Sequence, residues 1–224
     1  MITITLPLNY AYPFCLLISL FFYSVGVEAG NEVGLAIQVS EKDFDYNDTR
    51  YTSRIDKVSL TLHEPLNNYN QAGLTVGYIS LSQELNPVLS GVAMKGGFLG
   101  VILNSRLYQG SHVGLDAKWS YIYHALDSNV SSTPVTMNWH EFMLMVGVNA
   151  TIGDYWFSVG VYGQRITGNE ISSAPVSKTT AFSQHAGTGT YIGVDYYVDR
   201  TGKIGFQFNE DTRSSVKVIF SREY

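Results

Sequence analysis

The side chains able to do acid–base or metal chemistry are few in this sequence and are not clustered along it. Five histidines are present: His63, His112, His124, His140 and His185. None of their spacings places two imidazoles on one face of a helix or strand, as a zinc site requires. The one cysteine, Cys15, lies in an apolar N-terminal run, so the rest of the chain holds no thiol nucleophile and no disulfide. We therefore expect no metal and no other cofactor.

A second group of ionisable residues is spaced in a way that indicates a shared location. These residues occupy alternate positions within otherwise apolar segments: Asp116, Lys118, His124, Glu141, Asp195 and Lys217. Alternation with a period of two places such residues on the strand face opposite to their apolar neighbours. Charges enclosed by a narrow closed sheet must find partners, because leaving one unpaired there is costly. We predict that these six side chains form a polar network in the lumen of a barrel.

The elements that must position these residues are strands. The clearest alternation runs from Val113 to Ala125, and the polar residues in it cannot share one helical face. The same pattern predicts ten strands, with eight as the alternative count. Their approximate ranges are 32–40, 56–64, 72–81, 96–107, 112–125, 139–151, 154–166, 188–199, 203–209 and 214–224.

The connections between these strands alternate in length. Short ones are Pro65 to Asn70, Gln109 to Ser111, Ile152 to Asp154 and Asp199 to Gly202. Longer polar ones are Glu41 to Ile55, Ser82 to Gly91, Asp127 to Asn138 and Thr167 to Gly187, with Asn209 to Ser214 as a short exception. Short turns at one rim and long loops at the other are typical of transmembrane barrels. The expected fold is all-β: a closed, antiparallel, up-and-down transmembrane barrel of about ten strands.

Composition favours a membrane barrel over a soluble one. Charged residues make up 15% of the chain, against ~25% in typical soluble domains. The polar rows contain Gly, Ser, Thr, Asp, Lys and Gln. Gly and small polar residues fit a narrow interior, whereas a soluble surface would carry more Lys and Glu than this chain has. A soluble exported barrel with an inward apolar row and a ligand cavity remains the alternative. The net charge of −5 and the lack of a basic patch argue against nucleic-acid binding.

The first thirty residues differ from the rest of the sequence. Phe14 to Tyr23 is an apolar run of signal-peptide length, too short for a helix that crosses a bilayer, and Val27-Glu28-Ala29 offers a cleavage site. The segment before this run has no Lys or Arg, which departs from the usual pattern. We predict a signal peptide over 1–29, cleaved near Ala29, and a single barrel domain over 30–224.

The last strand carries the most specific signal. Val216, Val218 and Phe220 alternate toward a terminal Tyr224. This pattern resembles the terminal strand of small bacterial outer-membrane β-barrel proteins, which ends on an aromatic residue, although Arg222 replaces the usual apolar residue. The resemblance implies that Phe220 and Tyr224 form a signal for the outer-membrane assembly machinery. It also implies contact with outer-membrane lipid and a location in the outer membrane of a Gram-negative bacterium.

Two families of enzymatic barrels have motifs that this sequence lacks. Outer-membrane lipid A deacylases carry His-x-Ser on one strand, and no such pair occurs. Omptin-type proteases combine Asp-x-Asp with Asp-x-His; Asp43-Phe44-Asp45 matches the first half, but no Asp-x-His follows. We therefore interpret Asp43, Asp45 and Asp48 as a solvated acidic loop. The expected function is non-enzymatic, either structural or in surface interaction, with a narrow channel for small solutes as the alternative.

Overall fold

A computed structural model describes residues 31–47, 49–83, 93–128, 134–172, 177–185, 187–211 and 213–224. The predicted signal peptide lies outside these residues. The described strands are β1 (Glu32–Tyr46), β2 (Thr49–Pro65), β3 (Asn70–Gln83), β4 (Ala93–Gln109), β5 (Val113–Asp127), β6 (Val135–Ile152), β7 (Tyr155–Ser172), β8 (Lys178–Gln184), β9 (Thr188–Tyr197), β10 (Gly202–Glu210) and β11 (Ser214–Glu223). In this part of the chain, no helix is long and apolar enough to cross a membrane.

Ten of these strands form a closed antiparallel barrel, as predicted. In this ring each of β1 to β6 pairs with the next strand, β7 pairs with β9, and β9, β10 and β11 follow in order. The barrel closes where β1 pairs with β11, from Glu32 opposite Glu223 to Ser40 opposite Ser215. Closure leaves no sheet edge along this ten-stranded part, which we call the spanning part, so its backbone hydrogen bonds are satisfied within the sheet.

The eleventh strand, β8, was not predicted, because its range lies in the expected loop from Thr167 to Gly187. It pairs with the outer end of β7, from Thr167 to Ser172, and with Phe44 and Asp45 on β1. At this level β8 replaces β9, β10 and β11, which end lower down. The end of the molecule opposite the short turns is thus enclosed, among the described strands, by β1 to β8 alone. We call this part, beyond Ser40 on β1 and Gly163 on β7, the neck.

The prediction of a long loop from Glu41 to Ile55 is also wrong. Both strands continue through it and pair as far as Tyr46 opposite Thr49, with Asn47 at a positive φ of 50° in the tight turn. The predicted loop from Asp127 to Asn138 is likewise shorter in the structure, because β6 begins at Val135.

The short connection from Asn209 to Ser214, an exception in the sequence pattern, lies beneath β8. There Asp211 pairs with Lys42, the Nζ to Oδ2 distance being 2.8 Å.

The apolar residues lie on the outward face of the spanning part and on the inward face of the neck. On the spanning part the apolar row points outward and is exposed, for example Phe142, Leu144 and Val148 on β6 and Val159 on β7. On the neck the apolar row points inward, and Val135, Met137 and Trp139 on β6 are fully buried. The outer limit of the exposed apolar band is marked by outward charged residues: Glu41, Arg54, Asp56, Lys95, Asp127, Arg165 and Glu210.

Candidate functional site

The barrel interior has three layers, which follow one another from the neck to the rim of short turns. The first is an apolar core inside the neck. The second is a small buried ionic layer directly below this core. The third is an open polar cavity that reaches the short-turn rim, which we call the chamber.

The neck core is built around Trp139. Phe44 from β1 and Phe182 from β8 pack beside its ring, with ring centroids 6.4 Å and 6.3 Å away, and Phe182 stacks on Tyr46 at 5.1 Å. The other buried members come from most of the neck strands: Ile55, Ile79, Leu81, Met94, Phe98, Leu126, Val135, Met137 and Ile166. An eight-stranded barrel is just wide enough for side chains to fill its interior, and this core fills the neck.

The ionic layer is centred on Glu141, which points inward from β6 as the sequence pattern predicted. Lys57 donates to Glu141 Oε2 at 2.8 Å, His124 Nε2 lies 3.0 Å from the same oxygen, and Gln164 donates to Oε1 at 2.8 Å. His124 also stacks on Trp139, with centroids 4.5 Å apart. The carboxylate is therefore satisfied from three strands, and the layer is attached to the neck core.

The chamber has a volume of about 650 Å³. It is lined by residues of the spanning strands and, at its mouth, by the β2–β3 turn with Asn67, Asn68 and Tyr69. Two of its charged pairs lie near the mouth. Lys203 Nζ lies 3.1 Å from Glu32 Oε1, and Asp116 accepts from Asn149 and lies 3.9 Å from Arg106. The interior at this level is therefore open, in contrast to the narrow interior that the sequence analysis assumes.

The six residues predicted to form one lumen network occupy two layers instead. His124 and Glu141 meet in the ionic layer, while Asp116, Lys118, Asp195 and Lys217 line the chamber. Sequence analysis did not single out Lys57 and Gln164, which complete the ionic layer. The available signal was their place in polar rows, since Lys57 alternates with Ser59 and Thr61.

The acidic residues of the β1–β2 hairpin are not a solvated loop. Asp43 lies in β1, is 7% exposed, and binds Arg213 Nε at 3.2 Å and the Thr52 hydroxyl at 2.8 Å. Asp45 accepts from Arg50 at 3.0 Å and lies 2.8 Å from His185 Nδ1. Slight desolvation opposes the effect, but these two partners hold the pKa of Asp45 below its ordinary value. Asp48 lies outside the described residues.

The remaining predicted residues lie on the outer face or at the rim. Phe220 points outward on β11 and is exposed, and the Tyr224 amide donates to the Asn31 carbonyl at 2.9 Å. Among the described residues, no group of three or more His, Cys, Asp or Glu side chains could hold a metal ion.

Comparison with solved structures relates this barrel to known ones. The chain is similar to the translocator domain of the autotransporter NalP from Neisseria meningitidis, at 12% identity and a TM-score of 0.50, covering 96% of this chain and 95% of that one. The fold is that of an outer-membrane β-barrel.

Two further matches have lower scores. The outer-membrane protease OmpT from Escherichia coli has 9% identity and a TM-score of 0.47, over 90% of this chain and 99% of that chain. The transport unit of the autotransporter AIDA-I from Escherichia coli has 11% identity and a TM-score of 0.45, over 96% and 97%. No protein-family model and no curated protein sequence matches this chain.

Proposed function

We propose that this chain is a non-enzymatic barrel of the Gram-negative outer membrane, closed to solute flow, whose neck contacts other molecules at the cell surface. In this proposal the signal peptide over 1–29 directs export and is cleaved near Ala29. Phe220 and Tyr224 serve as the assembly signal, and the exposed apolar band contacts lipid.

The filled neck is the observation that carries the proposal. A solute that enters the chamber from the short-turn rim meets the ionic layer around Glu141 and then the core around Trp139. The core is packed from several strands, and the ionic layer is hydrogen-bonded across several strands. The alternative function, a narrow channel, would require both layers to move aside.

The outer surface of the neck supports the second part of the proposal. It is hydrophilic, since its outward residues include Asp45, Arg50, Thr167 and Asn169, and it is built on paired strands rather than on free loops. Rigid hairpins that project beyond the lipid offer a fixed polar surface, which lowers the entropic cost of binding a partner.

Conductance in planar bilayers tests the closed state. We expect the folded wild-type protein to show no steady ion current, and we expect openings when the neck core is hollowed by Trp139→Ala combined with Phe182→Ala. The matched control is Trp119→Ala, because Trp119 packs against the outward Phe142 with centroids 5.8 Å apart. A steady current through the wild-type protein would contradict the proposal and favour the channel.

A further inference from the structure

Two lysines in the chamber have no ionic partner among the described residues. Lys118 on β5 and Lys217 on β11 line the cavity, and neither makes a salt bridge or a side-chain hydrogen bond in this part of the chain. The other two lysines that face the interior of the spanning part differ in this respect. Lys57 is bound to Glu141 and Lys203 to Glu32.

The carboxylates in the inner part of the chamber do not balance these two charges. Glu32 is engaged by Lys203, and Asp116 is engaged by Asn149 and lies near Arg106. Two chamber carboxylates, Asp195 and Glu223, make no salt bridge among the described residues, and Glu223 is exposed at the end of β11, at the mouth. In the inner part of the chamber two ammonium groups therefore face the single carboxylate of Asp195, and this part has an excess of positive charge.

Neutral polar groups around the lysines add hydrogen-bonding capacity. His63 Nε2 is buried at the chamber wall and has no hydrogen-bond partner among the described residues. Tyr191 brings its hydroxyl to the lining because Gly147 and Gly160 leave room for its ring. A Cβ at Gly147 would lie only 2.0 Å from the Tyr191 hydroxyl oxygen. A phenol and an imidazole in the lining of a cavity that also holds two ammonium groups suit an anion with several acceptor oxygens.

The cavity is large enough for a small molecule and is open at one end only. Its volume of about 650 Å³ lies within the ~300–1,000 Å³ range of ligand pockets. Access is from the short-turn rim, since the ionic layer and the neck core close the other end. The chamber is thus a blind pocket, in which a ligand would bind without passing through.

We propose that the chamber binds a small anion whose phosphate or carboxylate group sits between Lys118 and Lys217. The ligand supplies the negative charge that the protein withholds from these two lysines. Its remaining atoms extend toward the mouth, past Tyr191 and Trp156, both of which line the cavity.

Isothermal titration calorimetry on the full chain, folded in detergent, tests this site. Inorganic phosphate and succinate are titrated separately, so that the two headgroup chemistries are distinguished. We expect one site per barrel for at least one of them, and affinity about tenfold weaker in each of Lys118→Met and Lys217→Met, because each removes one charge-assisted hydrogen bond. The matched control is Lys178→Met, a lysine on β8 that is exposed outside the chamber.

Folding is checked independently by the heat-modifiable gel shift of the intact barrel. Wild-type protein that binds neither anion overturns the proposal, as does binding that both chamber variants retain at full affinity. Equal loss in Lys178→Met overturns it too, because the binding would then come from general surface charge. If a methionine variant does not fold, Lys118→Gln and Lys217→Gln provide the same comparison. The titration of the wild-type protein tests the proposal whether or not the variants fold.

Discussion

Strands β1 to β7 run through both the spanning part and the neck, yet the two parts carry their apolar side chains on opposite faces. In the spanning part of β6 the outward row is Phe142, Leu144 and Val148 and the inward row includes Asn149. Above His140 the strand continues without a break, but Trp139 and Met137 point inward. A strand only specifies two faces, and the surrounding solvent decides which of them must be apolar.

Strand number differs between the two regions as well as polarity. Ten strands enclose a chamber of about 650 Å³, whereas the eight strands around the neck enclose a packed core. Because barrel diameter grows with strand number, replacing β9, β10 and β11 by the single strand β8 narrows the molecule and closes it. Within the described residues, side chains of the barrel's own strands fill the neck.

Trp139→Ala is the substitution expected to have the largest effect on the neck. Truncating a fully buried Trp costs about 3–5 kcal/mol of unfolding free energy. Trp119→Ala, on the outward face of the spanning part, should cost much less, because lipid replaces the lost contacts. Denaturant unfolding in lipid vesicles measures both, and equal losses would show that the two regions do not differ as described.

Glu141→Leu tests whether the ionic layer holds the two regions together. It leaves the Lys57 ammonium buried without its partner, which costs about 3–5 kcal/mol of unfolding free energy. Adding Lys57→Met removes the stranded charge and should restore most of this loss. A double variant that is as unstable as the sum of the two single variants would mean that the pair is not coupled.

Arg substitution along β7 compares the two outward faces directly. Val159→Arg, which places a charge in the exposed apolar band at a residue that is 56% exposed, should cost about 2–4 kcal/mol in lipid. Thr167→Arg, outward on the neck of the same strand, should leave the unfolding free energy nearly unchanged. Refolding into vesicles, read by the heat-modifiable gel shift, is the measurement. Equal tolerance at both sites would place the lipid boundary elsewhere.

The smallest expected effect is at the short-turn rim. Backbone hydrogen bonds from Thr201 and Gly202 hold the pKa of Asp199 below its ordinary value. A lowered pKa stabilises the fold above the ordinary pKa of an aspartate, and the contribution disappears as the pH falls through the folded-state value. Unfolding midpoints of wild type and Asp199→Asn should therefore differ at neutral pH and converge in strong acid. A gap that persists in strong acid would show another cause.

The sequence predicted the spanning part well, because lipid outside and polar groups inside give one consistent alternation. The prediction failed on the neck, where the apolar residues of the same strands move from the outward to the inward face. The stretch from Glu41 to Tyr46 was interpreted as a loop because its outward residues, Asp43 and Asp45, are acidic. Its inward Phe44 and Tyr46 then had no visible partner, since that partner, Phe182, is far away in the chain.

The candidate site was predicted in part. Alternation identified the inward charges, but it says nothing about how high each charge lies in a tilted barrel. Alternation thus groups Lys118 with Glu141, although Lys118 pairs with Met145, farther along β6. The β8 sequence KTTAFSQ is short and mostly polar, so its role depends on tertiary contacts that no local pattern shows.

The position of β1 has a consequence for assembly. This strand pairs with β11 up to Ser40 and with β8 at Phe44 and Asp45, so it forms the seam of both rings. Both seams join residues that are distant along the chain, and contacts of this kind form late and slowly. We expect closure of the ten-stranded ring and closure of the neck to share one rate-limiting step. In this step β1 pairs first with β11, up to Ser40, and then with β8 at Phe44 and Asp45.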